Sequence, residues 1–432
     1  EEITSEDKNK ALEEGFKADD LSPVFVSSVE EGLGVDELIT ELGEIVPEFN
    51  PTSSGRADSL VFNKLSDPYL GKLSFVKVYG EEMAEGASLH NLRTGQDVDI
   101  TDIYRYMGGD QEKTHKADRG DIVALGKLEE IALGDTLTDT GDEEIAFVEF
   151  PNPVYDRAVK PKSREDESKM STALKELVAN KATIKYHRDE VTEEMILSGM
   201  GVNHLDIFKE RLKSGFNVEI DMTEPKVPYK QSIAKEADTK YRHKKQSGGR
   251  GQYGEVYLRL TPLKRGSGVE FVNEIKGGNI PTQFIPGVEK GIEEALDEEY
   301  PITDLRATVY DGDHHPVDSS EMAFKIAGRE ACKKAIKQVG AILLEPIMKV
   351  TVKTPGDYTG DIISDLNGRR GRILGSDTSE GFTIINAEVP QAEVMNYATR
   401  LKSLTQAKAS FQMEFVKYKK VPSNIASKIL DR

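Results

Sequence analysis

One order of strands and helices occurs twice in this chain of 432 residues, and it restricts the fold more than any other feature. Between residues 151 and 225 the pattern reads strand, helix, strand, strand, helix, strand. Met170, Ala173, Leu174, Leu177 and Val178 recur at helical spacing behind a capping box, Ser163-Arg-Glu-Asp166. Two strand-like runs follow, Ala182–Tyr186 and Glu194–Ser198. A second helix carries Leu205, Phe208 and Leu212 and ends near Gly215, and Asn217–Met222 closes the unit. The order returns between 345 and 420. A strand (Ile347–Lys353) leads into a helix with Ile362, Ile363 and Leu366, then two strands around Ile373 and Ile384. A helix with Val394, Ala398 and Leu401 and a last strand, Phe411–Tyr418, complete it.

Each unit is expected to fold as a ferredoxin-like βαββαβ sheet. Between them, residues 226–343 predict an α/β domain with helices around Phe284, Val288 and Ile292 and around Ala323, Ile326 and Ala327. This domain also carries Gln246-Ser-Gly-Gly-Arg-Gly-Gln-Tyr-Gly254. Its glycines leave backbone amides uncovered, so the chain can approach a phosphate closely, and Arg250 supplies a planar charged fork. Arg242-His-Lys-Lys245 precedes the loop, and Glu255–Leu260 alternates like a half-buried strand. A hairpin presenting a nucleic-acid-contacting tip fits, and so does an ordinary flexible hairpin.

The N-terminal third differs. Pro23–Ser28 reads as a buried strand and Val35–Val46 as a helix, a lone α/β unit that cannot cover both faces of a sheet. From Gly55 to Phe150 short strands such as Lys72–Val78 and Asp121–Leu125 alternate with Gly/Asp turns, which predicts a small β-barrel. The expected fold is therefore multidomain α+β.

Charge is partitioned along the chain. Residues 1–150 carry 35 acidic and 13 basic side chains, residues 151–343 carry 31 of each, and residues 344–432 carry 13 basic and 10 acidic. The net charge of -19 excludes a uniformly basic nucleic-acid binder, but leaves local basic loops free to meet a polyanion. Mean hydropathy is -0.49, no apolar run reaches the length of a membrane span, and no signal or transit peptide is visible. A single cysteine, Cys332, fits a reducing cytosol and reads as a core residue. The absence of an initiating Met points to a truncated or trimmed product.

No Gly-x-x-x-x-Gly-Lys-Ser/Thr loop occurs, so this chain alone builds no P-loop nucleotide site. Asn63-Lys64 with Asp67 has the wrong spacing for a guanine-reading motif, and Asp357-Tyr-Thr-Gly360 reads as a helix cap. The seven histidines show no metal-ligand spacing, and no nucleophile triad stands out. Asp318-Ser-Ser-Glu321 reads as a capping box. His314 and His315, in the turn before it, either hydrogen-bond ribose or base edges or are simply solvated. Gly368-Arg-Arg-Gly-Arg372 is a cationic turn that complements a helix C-terminus, clamps phosphate, or does both.

On these residues the chain resembles the elongation factor G family. The resemblance rests on the loop at 246–254 and on Val317-Asp-Ser-Ser-Glu-Met-Ala-Phe324, Leu343-Leu-Glu-Pro-Ile-Met348 and Gly360-Asp-Ile-Ile-Ser-Asp-Leu-Asn-Gly-Arg-Arg-Gly371. Ser198-Gly-Met-Gly201 with His204, and Ala387-Glu-Val-Pro390, extend it. It implies that residues 1–47 end a GTP-binding domain, with Ser27 and Ser28 at the last guanine-contacting motif. Residues 52–150 would be domain II, 151–225 domain III, 226–343 domain IV and 344–432 domain V. The tip of domain IV would comprise Ser247, Gly248, Gly249, Arg250, Gly251, Gln252, Tyr253, Gly254, His314 and His315, and Arg369, Arg370 and Arg372 would contact ribosomal RNA.

The implied activity is GTP-dependent translocation of tRNA and mRNA by a cytoplasmic, monomeric, membrane-free parent. GTP and magnesium would belong to that parent and neither to this chain. Its partners would be both ribosomal subunits, ribosomal RNA and the tRNA–mRNA duplex. At Ser28 the family more often has Ala; Val202-Asn203 before His204, Pro316 after the tip histidine, and the strand pair around 182–198 also depart from the family pattern, and these three resemble a divergent second copy. Ribosome recycling, tetracycline protection, or a stand-alone RNA-binding adaptor are the alternatives.

Overall fold

The computed structural model describes all residues except 1–3, 19, 23, 46–57, 68, 81, 109, 129, 140–142, 180, 247–250, 380 and 432. The chain divides into two units, Glu1–Glu149 and Phe150–Arg432.

In the first unit, α1 (Ser5–Lys17) starts at a reciprocal capping box: Thr4 Oγ1 accepts the Asp7 N–H at 3.2 Å and the Asp7 carboxylate accepts the Thr4 N–H at 2.9 Å. Helix α2 (Val35–Ile45) follows the expected span. The expected buried strand does not form. Val24 and Val26 are 88% and 91% exposed, and only Ser28 makes a bridge, to Leu33. With no neighbouring strand among the described residues, its backbone has nothing to pair with.

The rest of this unit is an antiparallel sheet. Its strands are β1 (Ser59–Asp67), β2 (Gly71–Val78), β3 (Glu82–Ala84), β4 (Ser88–Asn91), β5 (Gln96–Asp99), β6 (Asp102–Met107), β7 (Asp110–Thr114), β8 (Lys116–Asp118), β9 (Ile122–Gly126) and β10 (Thr136–Thr138). Eight of them run β5-β4-β10-β1-β2-β9-β6-β7, with β3 and β8 as a separate ribbon. Val61, Val76, Leu89, Ile103, Leu125 and Leu137 belong to its single core. Among the described residues no ladder joins β5 to β7, so the expected barrel is an unclosed sheet. Both edges are short and polar, Gln96–Asp99 and Asp110–Thr114, which makes them poor templates for further pairing.

The second unit begins with β11 (Tyr155–Pro161), α3 (Arg164–Ala179), β12 (Lys185–Arg188), β13 (Met195–Gly199), α4 (Val202–Phe216) and β14 (Ile220–Thr223), in the sheet order β12-β13-β11-β14. This is the βαββαβ unit that the sequence predicts. Strand β12 starts later than expected because turns at Val178–Lys181 and Lys181–Ile184 occupy its first positions. Helix α4 stops at Asn217, which takes the left-handed conformation (φ 51°), rather than at Gly215.

Next come β15 (Lys230–Ile233), β16 (Ala237–Lys245), β17 (Gln252–Pro262), β18 (Val269–Asn273), α5 (Ile285–Leu296), β19 (Leu305–Asp313) and α6 (Glu321–Val339). The sheet runs β16-β17-β19-β18, with β18 parallel to β19. Helices α5 and α6 pack against it, around Val256, Leu258, Val288, Phe324 and Ala331. The two helices touch through glycine: a Cβ on Gly291 would lie 2.0 Å from the Lys325 carbonyl oxygen.

The chain ends with β20 (Ala341–Pro355), α7 (Thr359–Gly368), β21 (Arg372–Ser379), β22 (Phe382–Pro390), α8 (Gln391–Val394), α9 (Tyr397–Leu404), β23 (Ser410–Lys420) and α10 (Ser423–Leu430). The 15-residue β20 pairs with β15 at its start and with β22 and β23 beyond, so one strand serves two domains. The single expected helix around Val394–Leu401 is two pieces, α8 and α9. Asp357 is not a cap, since α7 begins without a side-chain cap hydrogen bond.

Candidate nucleic-acid interface

Strands β16 and β17 pair from Ala237↔Leu260 to Lys245↔Gln252, so the hairpin is fully zipped up to the glycine loop. Ser247, Gly248, Gly249 and Arg250 lie outside the described residues. Gly251 and Tyr253 are fixed to a turn more than sixty positions away. The Gly251 N–H donates to Asp318 Oδ1 at 3.0 Å, and the Tyr253 N–H donates to the Asp318 carbonyl at 2.9 Å. Ser319 Oγ donates to the Tyr253 carbonyl at 2.9 Å and accepts the His315 N–H at the same distance. Tyr253 and Ser319 form a parallel bridge. A side chain at Gly251 would press on Asp318, its Cβ 3.0 Å from the carboxylate carbon.

Asp318 therefore anchors the loop, and Ser320 caps α6 by accepting the Ala323 N–H at 3.2 Å. The expected capping box at Asp318 does not form: the N-cap is Ser320, two residues later, and its N3 residue, Ala323, has no polar side chain to complete a box.

The side chains around this turn are also paired. Tyr253 Oη donates to Asp313 Oδ2 at 2.6 Å, a bond that pushes the phenol up to about 12 and keeps it protonated. His315 Nδ1 accepts from the N–H groups of Asp318 (3.1 Å) and Val317 (3.3 Å). That fixes the tautomer with the proton on Nε2. The His315 side chain is half exposed, with its ring centre 6.2 Å from that of Tyr253. His314 Nδ1 meets the Asn279 carbonyl at 3.0 Å and is thus hydrogen-bonded rather than merely solvated. Gln252 Oε1 lies 2.9 Å from His243 Nε2. Of the basic run, Arg242 is held by the buried Glu255 at 2.7 Å, while Lys244 and Lys245 make no ion pair among the described residues.

The second cationic cluster is arranged differently. Arg369 Nε binds Asp365 at 2.7 Å, and its Nη1 donates to the Glu393 carbonyl at 2.6 Å. Arg370 makes a fork to both oxygens of the buried Glu345 at 2.7 and 2.9 Å, and its Nε donates to Glu393 at 2.8 Å. These two guanidiniums are engaged within the chain, and Arg372 is the exposed member of the three. Ser27 is exposed, and Ser28 forms a bridge with Leu33.

Among the described residues no group of His, Cys, Asp or Glu could hold a metal ion, and no helix is long and apolar enough to cross a membrane.

The organisers of the tip, Asp313, Asp318, Ser319 and Asn279, were not legible as such in sequence. Their roles depend on contacts across 32 to 67 residues.

Comparison with known proteins bears on the same regions. The family models match as follows: Elongation Factor G, domain III, over residues 150–224; Elongation factor G, domain IV, over 225–340; and Elongation factor G C-terminus over 342–429. Among solved structures, a protein from Thermus thermophilus is similar at 36% identity with a TM-score of 0.76. The similarity covers 100% of this chain and 66% of that one, so this chain spans just under two thirds of its length.

Proposed function

This chain belongs to the elongation factor G family, and on that premise we propose that it is the ribosome-binding portion of a translational GTPase that drives movement of tRNA and mRNA. The observation that carries this reading is the pinning of two distant loops into one tip: Gly251 and Tyr253 hydrogen-bonded to Asp318 and Ser319, beside His315. Residues held in place before contact, as Gly251 and Tyr253 are by Asp318 and Ser319, lose less conformational entropy on binding a duplex.

The work is positioning rather than covalent chemistry. Backbone amides and Arg250 meet phosphate, and the free Nε2–H of His315 donates to ribose or a base edge. Arg372 reaches ribosomal RNA, while Arg369 and Arg370 hold the turn that presents it. GTP and magnesium act in the cytoplasmic parent, and no step is assigned to them on residues of this chain.

The test follows single-turnover mRNA movement and subunit splitting by the full-length parent on pre-translocation ribosomes with GTP. Rapid movement that Arg250→Glu abolishes, with an unchanged melting temperature, supports a translocase. Splitting without movement overturns it in favour of recycling, with Val202, Asn203 and Pro316 as the first departures to revert.

A further inference from the structure

Strand β18 is the edge of the sheet that carries the tip, with β19 as its only neighbour among the described residues. Beside it lies a cavity of about 320 Å³ between β18 and α5. Its apolar wall includes Val269, Phe271, Ile292, Leu296, Pro301 and Ala307. Val269 is 45% exposed although it sits over this groove.

The carboxylates of α5 fall into two sets. On the side toward α6 they are neutralised: Glu294 by Lys325 and Glu298, just past the helix end, by Lys333, while Lys290 pairs with Glu321. On the side toward the groove, Glu289, Glu293 and Asp297 recur every fourth residue and make no ion pair among the described residues. Asp297 and Pro301 also line a larger cavity of about 910 Å³ that includes Glu190, Glu193 and Glu299, so the groove continues into a second carboxylate-bearing surface.

We propose that β18 and this groove dock an extended segment of another protein that alternates basic and apolar residues and adds to the sheet as a fifth strand. Three features specify that occupant. An edge strand offers backbone N–H and C=O groups to an extended chain. Because side chains alternate along a strand, one face of the incoming segment places apolar groups in the cavity. The unneutralised carboxylates along its rim select lysine or arginine and repel phosphate, which argues against nucleic acid at this face.

The test uses the full chain and a fluorescent peptide of alternating lysine and valine, read by anisotropy and by hydrogen exchange. Binding is expected to slow exchange at Val269–Asn273. It should weaken roughly tenfold in Glu289→Lys with Glu293→Lys, equivalent to about 1.4 kcal/mol, and also in Val269→Asp. A matched charge reversal at the exposed Asp110 and Glu112 should leave it unchanged. Among the described residues the substituted α5 carboxylates make no ion pair, and an unchanged melting temperature confirms folding. No binding, equal weakening by the matched reversal, or binding without protection of β18 would overturn the proposal. So would a single-stranded RNA probe that binds here and is lost in Val269→Asp.

Discussion

Arg370 takes the left-handed conformation (φ 58°) one residue past Arg369, the C-cap of α7, a place where glycine is the usual residue. The backbone cost of about 1–2 kcal/mol is offset by its fork on Glu345, whose side chain is 3% exposed. Arg370→Ala leaves that carboxylate buried and unpaired, so it should lower unfolding free energy by about 3–5 kcal/mol in urea titration. Arg372→Ala should leave stability unchanged and weaken ribosome binding alone. The reverse ranking would mean that Arg370 faces RNA. His204 gives a pH signature. Its Nδ1 accepts the Met200 N–H at 3.2 Å, and burial, with Arg211 and Lys181 nearby, holds the imidazole below its ordinary value of 6.5. The unfolded chain therefore takes up a proton first as pH falls. Stability is full above about 6.5 and declines as pH drops through the folded value. His204→Gln should flatten that part of the stability–pH curve, and an unchanged curve would count against the assignment.

Two helical glycines separate packing from propensity at the scale of elements. At Gly291 a Cβ would lie 2.0 Å from the Lys325 carbonyl oxygen, so Gly291→Ala must part α5 from α6 and should cost about 1–3 kcal/mol despite its better helix propensity. At Gly215, in the last turn of α4, nothing lies within 4 Å, and Gly215→Ala should gain about 0.5–1 kcal/mol. Thermal melts of the two variants should move in opposite directions. What the sequence disclosed follows the same division. Helices α3, α4 and α7 were legible because their apolar faces repeat locally, at Met170–Leu174, Leu205–Leu212 and Ile362–Leu366. The lack of a strand at Val24–Ser27 was not, because apolar composition cannot reveal whether a partner strand exists. Neither was the anchoring of the glycine loop by Asp318 or of Arg370 by Glu345, since both join residues far apart in sequence. The same holds for β20, whose 15 residues serve two sheet neighbourhoods.

At the scale of the whole chain, charge and fold are divided at the same place. The unit ending at Glu149 has its own core around Val76, Leu89 and Leu125, and the unit beginning at Phe150 has separate cores, so residues 150–432 should fold alone. Residues 1–150 carry the excess of 35 acidic over 13 basic side chains, whereas residues 151–343 balance and 344–432 are net basic. Removing residues 1–149 thus turns a chain of net charge -19 into a weakly basic one without touching the tip or Arg372. Long-range repulsion from a polyanion weakens association at low salt and is screened beyond about 10 Å at 0.1 M. The shortened chain should melt at the temperature of one transition of the full chain. At low salt it should bind purified ribosomes more tightly than the full chain, and the two should converge as salt rises. Equal affinity at every salt concentration would mean that the acidic third exerts no field on the ribosome, leaving recognition to local contacts at the tip and at Arg372.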